Sequence, residues 1–151
     1  MKKIIIILLS IVLLASFACA NNDHKLTLKV NDTKVILNCS DDYILRSGLF
    51  SNDTVSFSVF NKDKENFGVG YLIDNSQFYD EFKQMILNDE TCTIFENTDL
   101  LLYYSCQNDE DKEAIEYNRV IKIDDNRALI LASFDKEKID EFYKVLSFTI
   151  K

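Results

Sequence analysis

The sequence contains no proline, only three glycines and a single histidine among its 151 residues. Because proline and glycine are common in linkers and loops, their scarcity argues against a flexible connection between two domains. No internal repeat or low-complexity tract follows the N-terminal segment. The sequence therefore predicts one compact domain over residues 25–151.

Several catalytic arrangements are also missing. His24 lies in a polar segment where we expect no ordered environment, so neither a Ser-His-Asp nor a Cys-His arrangement has a base. No zinc-ligand spacing, calcium-binding loop or glycine-rich phosphate loop occurs in the sequence. Carboxylates are plentiful, but no particular acid–base pair stands out. The sequence predicts a protein that is not an enzyme and that binds no cofactor and no metal.

The N-terminus is typical of a secretory signal peptide. Lys2 and Lys3 precede an apolar run that extends from Ile4 to Ala15 with one interruption, and small residues follow. The run is shorter than the about 20 apolar residues that a membrane-spanning helix needs. We therefore expect export from the bacterial cytoplasm, with residues 1–18 as the signal peptide.

Two cleavage sites are compatible with this signal. Ala18 and Ala20 form an Ala-x-Ala site, which would release a soluble secreted or periplasmic chain beginning at Asn21. The segment SFAC resembles the lipobox of bacterial lipoproteins, in which the cysteine becomes the first residue and is lipidated. Ser16 departs from that pattern, because leucine is usual three positions before the cysteine. We favour lipidation of Cys19, with residues 19–24 as a tether that anchors the protein to a bacterial membrane.

The chain is acidic, with a formal net charge of −8. Loss of Lys2 and Lys3 with the signal peptide would make it more acidic still. Such a chain is repelled by nucleic acid phosphates and by anionic lipid surfaces, and the sequence has no basic stripe. We expect no nucleic-acid partner.

Three cysteines remain besides Cys19, and export would place them where disulfides form. A hairpin around residues 97–99 would set Cys92 opposite Cys106, close enough for a disulfide. Such a bridge would stabilise the fold by about 3 kcal/mol in the chain-entropy model. Cys39 is the odd cysteine, and a buried apolar role is expected for it.

Alternating apolar residues predict four strands in the first half of the domain. These are KLTLKV, KVILNC, TVSFSVF and FGVGYLI. In the first pair, Val30 would lie opposite Val35 and Leu26 opposite Cys39. In the fourth, Phe67 would share a side with Val69, and the glycines would lie on the other side, facing either solvent or a closely packed layer. Residues 40–50 fit a helical turn or a loop.

Two helices and two further hairpins are predicted in the second half. Ser76 would cap a helix over residues 77–88, and Asp135 would cap a helix that ends near Ser147. The segments LLLYY and ALILA are apolar at consecutive positions, so both of their faces need cover. We therefore expect an α+β fold with an antiparallel sheet and with helices or long loops on both faces, as in a three-layer sandwich.

This order of elements resembles the PsbP-like group. In that group a strand pair leads into a helix, a meander follows, and a final helix ends near a Ser-Phe, as Ser147 and Phe148 do here. The resemblance covers most of the chain beyond the tether but includes no diagnostic motif. A cystatin-like or other α+β sheet is the rival interpretation. Because the group contains varied roles, the resemblance implies a fold and no activity.

Three functions remain open. The first is a non-catalytic binding module of the cell envelope with a protein or small-molecule partner, for which an exposed patch of Tyr103, Tyr104 and Tyr117 would be evidence. The second is a carboxylate-dependent hydrolase of envelope glycans, which requires two carboxylates across a cleft. The third is a soluble secreted structural protein. We favour the first.

Overall fold

The computed structural model describes residues 23–108, 111 and 113–151. The predicted signal peptide and the predicted lipidation site, Cys19, lie outside the described residues. The carboxylate of Asp23, the first described residue, accepts a hydrogen bond from Arg46 at 2.7 Å, and its carbonyl accepts one from the backbone N–H of Leu45 at 2.8 Å. The domain thus includes the last two residues of the predicted tether.

The described residues contain ten strands and two helices. They are β1 (Lys25–Val30), β2 (Thr33–Asn38), β3 (Tyr43–Phe50), β4 (Thr54–Asn61), β5 (Asn66–Asp74), α1 (Phe78–Leu87), β6 (Cys92–Asn97), β7 (Leu101–Gln107), β8 (Ile115–Lys122), β9 (Arg127–Ser133), α2 (Lys136–Val145) and β10 (Ser147–Ile150).

The strands form two antiparallel sheets. The large sheet has seven strands in the order β3-β4-β5-β9-β8-β7-β6, and the small sheet has three in the order β1-β2-β10. Every strand pairing is antiparallel. The prediction of a mixed fold built on antiparallel sheet with two helices is confirmed.

The buried side chains fall into two clusters. The first joins the small sheet and α2 to strands β3, β4, β5 and β9, with Leu37, Phe57 and Leu129 among its fully buried members. The second joins α1, through Tyr79 and Ile86, to strands β5, β7, β8 and β9. Neighbouring residues of β5 and β9 alternate between the clusters, because successive strand side chains point to opposite faces. In LLLYY the residues from Leu101 to Tyr104 are buried as predicted, although Leu100 is exposed, and all of ALILA is buried.

The register of the first hairpin differs from the prediction. Leu28 pairs with Val35 and Leu26 with Leu37, so Cys39 lies beyond the end of β2. Asn31 adopts a φ of 51°, which permits a two-residue turn where the prediction allowed four. The apolar face of the hairpin was nonetheless predicted correctly, because a shift of two residues preserves it.

Residues 43–50 form a strand, although the sequence favoured a loop or helical turn. Only Tyr43 and Leu45 of β3 are buried, so its alternation is too short to stand out. The last strand, β10, was likewise missed. Its residues Ser147 to Ile150 pair with β2. Because the chain must be extended there, the preceding helix ends at Val145.

Two smaller expectations are also corrected. Gln77, not Ser76, precedes α1, and its side chain makes no capping hydrogen bond. Phe67 packs with the first cluster and Val69 with the second, because an irregularity in the β4–β5 register at Val59 and Phe60 shifts the strand. Asp135 caps α2 as predicted, accepting hydrogen bonds from the backbone N–H groups of Glu137 and Lys138.

Gly70 lies directly opposite Phe57 in the β4–β5 pair. A Cβ atom at residue 70 would lie only 2.0 Å from the Phe57 ring, which is fully buried. The glycine therefore faces a packed ring and not solvent. Of the two alternatives given for the glycine side of this strand, solvent or close packing, close packing is correct for Gly70.

Gly70→Ala should lower the free energy of unfolding by roughly 3 kcal/mol, because overpacking forces a buried ring or the backbone to move. Urea unfolding of the purified domain measures it. Gly48→Ala is the matched control, since its Cβ would meet the exposed Ser56 hydroxyl and would cost at most its hydrogen bond with the Leu49 backbone, not the movement of a buried ring. Equal losses for the two variants would contradict the packing role of Gly70.

Candidate functional site

Cys92 and Cys106 form a disulfide at the first residue pair of the β6–β7 hairpin. Their Cα atoms are 4.3 Å apart, and the pairing of these two residues is the predicted one. Both cysteines pack against the second buried cluster. The bridge joins the end of α1 and the edge strand β6 to the interior strand β7.

Cys39 is a free and half-buried thiol. Its sulfur lies 3.7 Å from the carbonyl oxygen of His24 and 3.8 Å from that of Tyr43. Burial, with a smaller contribution from Asp41, raises the pKa of the Cys39 thiol to about 11. The thiol is therefore protonated at neutral pH, which does not favour a nucleophilic role.

His24 has ordered neighbours, contrary to expectation. Its Nδ1 atom lies 2.7 Å from the Tyr43 carbonyl oxygen, and its Nε2 atom lies 3.8 Å from the Asp41 carboxylate. The backbone carbonyl of His24 also accepts the N–H of Cys39. These contacts tie the predicted tether to the start of β3.

The expected tyrosine patch is not a surface patch. Tyr103 and Tyr104 are buried, and Tyr117 is half-buried against the first cluster. Their positions on β7 and β8 place Tyr103 and Tyr104 on opposite faces of the sheet. This removes the support that exposed tyrosines would have given to a binding role.

Tyr103 instead belongs to a group around Arg119, which we call the Arg119 cluster: Phe95, Tyr103, Tyr117, Arg119, Asp140 and Tyr143. The guanidinium carbon of Arg119 lies 3.8 Å from the ring centroid of Tyr103 and 4.4 Å from that of Tyr143. Arg119 also donates a hydrogen bond to the Asp140 carboxylate at 2.7 Å. A buried guanidinium is thus paired on one side and stacked on two rings.

The ionisable groups of this cluster affect one another. Burial alone would raise the pKa of Asp140, but the hydrogen bond from Arg119 and the nearby Tyr103 hydroxyl lower that pKa below its ordinary value. Burial, reinforced by Asp140, raises the pKa of Tyr103. The cluster therefore holds an ionised aspartate beside a protonated tyrosine at neutral pH.

Phe95 is the exposed member of the cluster. It lies at a bulge in β6, because Ile94 pairs with Tyr104 and Glu96, not Phe95, pairs with Tyr103. The Phe95 ring remains 43% exposed, with its centroid 4.8 Å from that of Tyr103. The Lys136 ammonium of α2 lies 4.8 Å from the same ring. A bulge in an edge strand re-aims a side chain in this way.

Phe95 therefore has no partner in the β6–β7 register, although its ring meets that of Tyr103. Arg119 was missed altogether, because a charged residue within an alternating strand is usually exposed. The available signal was its place between Asn118 and Val120 in a segment that needs cover on both faces.

Glu116 of β8 is a carboxyl group that is partly removed from water. Burial raises the pKa of its carboxyl group, and a hydrogen bond with the Asn118 side chain opposes that shift. Burial first and Glu116 second raise the pKa of both Tyr71 and Tyr104. The described residues contain no group of three or more His, Cys, Asp or Glu side chains that could hold a metal ion.

Comparisons with protein-family models, with curated proteins and with solved structures gave no match for this chain. Within the described ranges, neither helix is long and apolar enough to cross a membrane.

Asp140→Asn should lower the free energy of unfolding by about 2 kcal/mol at pH 7, because it leaves the buried Arg119 guanidinium without its charged partner. Chemical denaturation measures this loss. Because the pKa of Asp140 is lowered in the folded protein, its contribution should be present above the ordinary pKa of 3.8 and should vanish as the pH falls through the lowered value.

The matched control is Asp42→Asn, which breaks the exposed Lys62–Asp42 pair. Exposed pairs are weak, so the control should cost at most about 0.5 kcal/mol. If both variants lost the same stability, the Arg119–Asp140 pair would contribute no more than an exposed ion pair, and the prediction would be wrong.

Glu116→Gln should stabilise the protein at pH 7 relative to the parent chain. A raised pKa means that the folded protein binds more protons than the unfolded chain between the ordinary pKa of 4.5 and the raised value. Stability therefore falls as the pH rises through that window and stays lower above it. Glutamine does not titrate and avoids this loss.

Urea unfolding at pH 4 and pH 7 tests this expectation. The advantage of Glu116→Gln should be present at pH 7 and nearly absent at pH 4. Glu96→Gln, which changes an exposed side chain on β6, serves as the control and should show no such difference. A Glu116 variant with no gain at pH 7 would contradict the argument.

Proposed function

We propose that this protein is an exported, lipid-anchored and non-catalytic binding module of the bacterial cell envelope. The segment ending at Cys19 supports export and lipidation. The Cys92–Cys106 disulfide supports the same compartment, since disulfides persist mainly outside the cytoplasm.

The observation that carries the binding role is the exposed Phe95 on edge strand β6. This strand has only one neighbour, β7, in the large sheet. An unpaired edge can accept another strand, and an exposed aromatic side chain can anchor a partner. The buried rings and the disulfide hold Phe95 in place before binding, which lowers the ordering cost.

The Phe95 bulge also has an ordinary structural explanation. Bulges and charged residues protect sheet edges against unwanted pairing, and Glu96 and Lys136 are both close to the bulge. We favour the binding role because protection does not require an exposed aromatic ring. A protein partner with an apolar side chain or an extended segment would fit this edge.

We also propose a three-layer arrangement for the fold, with α1 and α2 on opposite faces of the large sheet. The alternation of β5 and β9 residues between the two buried clusters supports it. The resemblance to the PsbP-like group belongs to the same proposal and suggests a fold only.

A carboxylate-dependent glycan hydrolase is the second candidate, and the raised pKa of Glu116 is the observation that favours it. A carboxyl group whose pKa is raised above its ordinary value is a candidate general acid. The reaction would need a second carboxylate about 5–10 Å away. Loss of glycan cleavage in Glu116→Gln, with retention in Phe95→Ala, would favour this candidate over the binding module.

The intact mass of the protein purified from its native host should match a chain that begins at Cys19 and carries acyl groups. A bare chain from Asn21 would instead indicate a soluble secreted protein and would contradict the anchor. Measured without and then with reductant, the mass should rise by that of two hydrogens. No rise would contradict the disulfide.

Photo-crosslinking in intact cells tests the binding edge. A photoreactive phenylalanine analogue at Phe95 should form a discrete adduct with a partner protein. The same analogue at Phe50, which is exposed on the opposite edge strand β3, is the matched control and should not form that adduct. Equal labelling from both positions, or none from Phe95, would contradict a partner at β6.

A further inference from the structure

The outer face of the small sheet is basic, although the chain as a whole is acidic. Alternation places Lys25 and Lys29 of β1 and Lys34 of β2 on the exposed side, and their apolar neighbours are buried. The backbone of Lys151 pairs with that of Lys34 at the other side of β2 and brings a fourth lysine close. The strands themselves contain no acidic residue, and the only one in the connecting turn is Asp32.

The lysines of this face repel one another. Lys29 and Lys34 lie directly opposite each other in the β1–β2 pair. Like charges at directly opposed positions destabilise a sheet. Among the described residues, none of Lys25, Lys29, Lys34 and Lys151 has an acidic group within ion-pair distance. An external anionic surface would relieve this repulsion.

The position of the tether determines which anionic surface is near. Asp23, which is bound to Arg46 and Leu45, is four residues from Cys19. Four extended residues span at most about 14 Å. A lipid attached to Cys19 would therefore keep the bilayer within about 14 Å of Asp23, and Lys25 is two residues further along the chain.

We infer that the outer face of β1, β2 and β10 lies against the anionic lipid headgroups of the membrane in which Cys19 is anchored. This inference rests on the proposed lipid anchor. An acidic protein that is held at an anionic surface lowers its electrostatic energy by turning its basic face toward that surface. A lipid chain and a basic patch are also the two signals that together give stable membrane attachment.

This orientation would place the small sheet between the bilayer and the large sheet. The Phe95 edge belongs to the large sheet, so the membrane-facing residues and the proposed partner-binding residues are different side chains on different sheets. One side chain therefore does not have to serve both contacts.

The test uses the lipidated protein reconstituted into vesicles of phosphatidylcholine alone or with added phosphatidylglycerol. A water-soluble acetylating reagent labels exposed lysines, and mass spectrometry gives the rate at each position. Lys25, Lys29 and Lys34 should react roughly fivefold more slowly on the anionic vesicles. Lys62, Lys64 and Lys144, which lie outside the small sheet, should react equally on both, and high salt should abolish the difference.

Equal rates at Lys25, Lys29 and Lys34 on both vesicles would overturn the inference. Protection of these lysines by a soluble polyanion such as heparin, with none from vesicles, would also overturn it and would assign the face to another partner. The intact mass of the same sample reports acylation separately. A missing acyl group would remove the proposed anchor, whereas an acylated chain without protection would remove only the membrane-facing orientation.

Variants test the basic face separately from the acyl chain. Flotation of the unlipidated protein with anionic vesicles should weaken on the order of 100-fold when Lys25, Lys29 and Lys34 are all changed to Gln. Changing Lys62, Lys64 and Lys144 to Gln alters the net charge equally and should leave binding nearly intact. No binding by the unlipidated parent protein, or equal losses in the two variants, would overturn the inference.

Discussion

The antiparallel pairing of β5 with β9 is the constraint on which the rest of the structure depends. Tyr71 pairs with Ile130 and Leu72 with Leu129, and neither strand has a polar side over this stretch. Strands that are apolar on both faces are stable only when both faces are covered. The two buried clusters meet at this pair, and the small sheet, α2 and α1 each supply side chains to one of them.

Close packing at this centre depends on residue size as well as polarity. Gly70 leaves room for the Phe57 ring from the neighbouring strand. Ala128 and Ala132 are small residues of the second buried cluster, to which α1 contributes. Interiors are packed as densely as organic crystals, so a missing side chain on one strand has to be matched by a large one nearby. The glycine and the ring are therefore one packing unit.

The sequence predicted the elements whose periodicity is long and unbroken. Strands β4 and β9, helix α2 with its Asp135 cap and the Cys92–Cys106 pairing all followed from local pattern. The β1–β2 register could not be predicted, because the φ of Asn31 that tightens the turn leaves the pattern of apolar residues unchanged. Strand β3 was missed because only Tyr43 and Leu45 of its residues are buried, which leaves an alternation too short to stand out.

The candidate site was less predictable than the fold. Neither the bulge at Phe95 nor the stacking of Arg119 between Tyr103 and Tyr143 has a local signal, since both depend on which strands and helix meet. The basic face of the small sheet was hidden for a similar reason. Its lysines are separated by apolar residues in the sequence and are diluted by the acidic remainder of the chain.

Strand β8 shows two different solutions to the burial of a charged side chain. Around Arg119, the Asp140 carboxylate and two aromatic rings replace water. Among the described residues, Glu116 on the opposite face of the same strand has no cation within ion-pair distance, and its carboxyl group is instead biased toward the protonated state. The first solution fixes geometry, and the second makes one face of the sheet sensitive to pH.

The pairing of β10 with β2 has a consequence for how the molecule assembles. β2 lies near the beginning of the domain, and β10 follows every other described strand in the chain. Their contact therefore has a very large separation in sequence, which slows folding. A chain that crosses a membrane with its N-terminus first would present the β1–β2 hairpin to its new compartment with one edge unpaired. That edge would stay open to chaperones or to other chains until the final strand arrived.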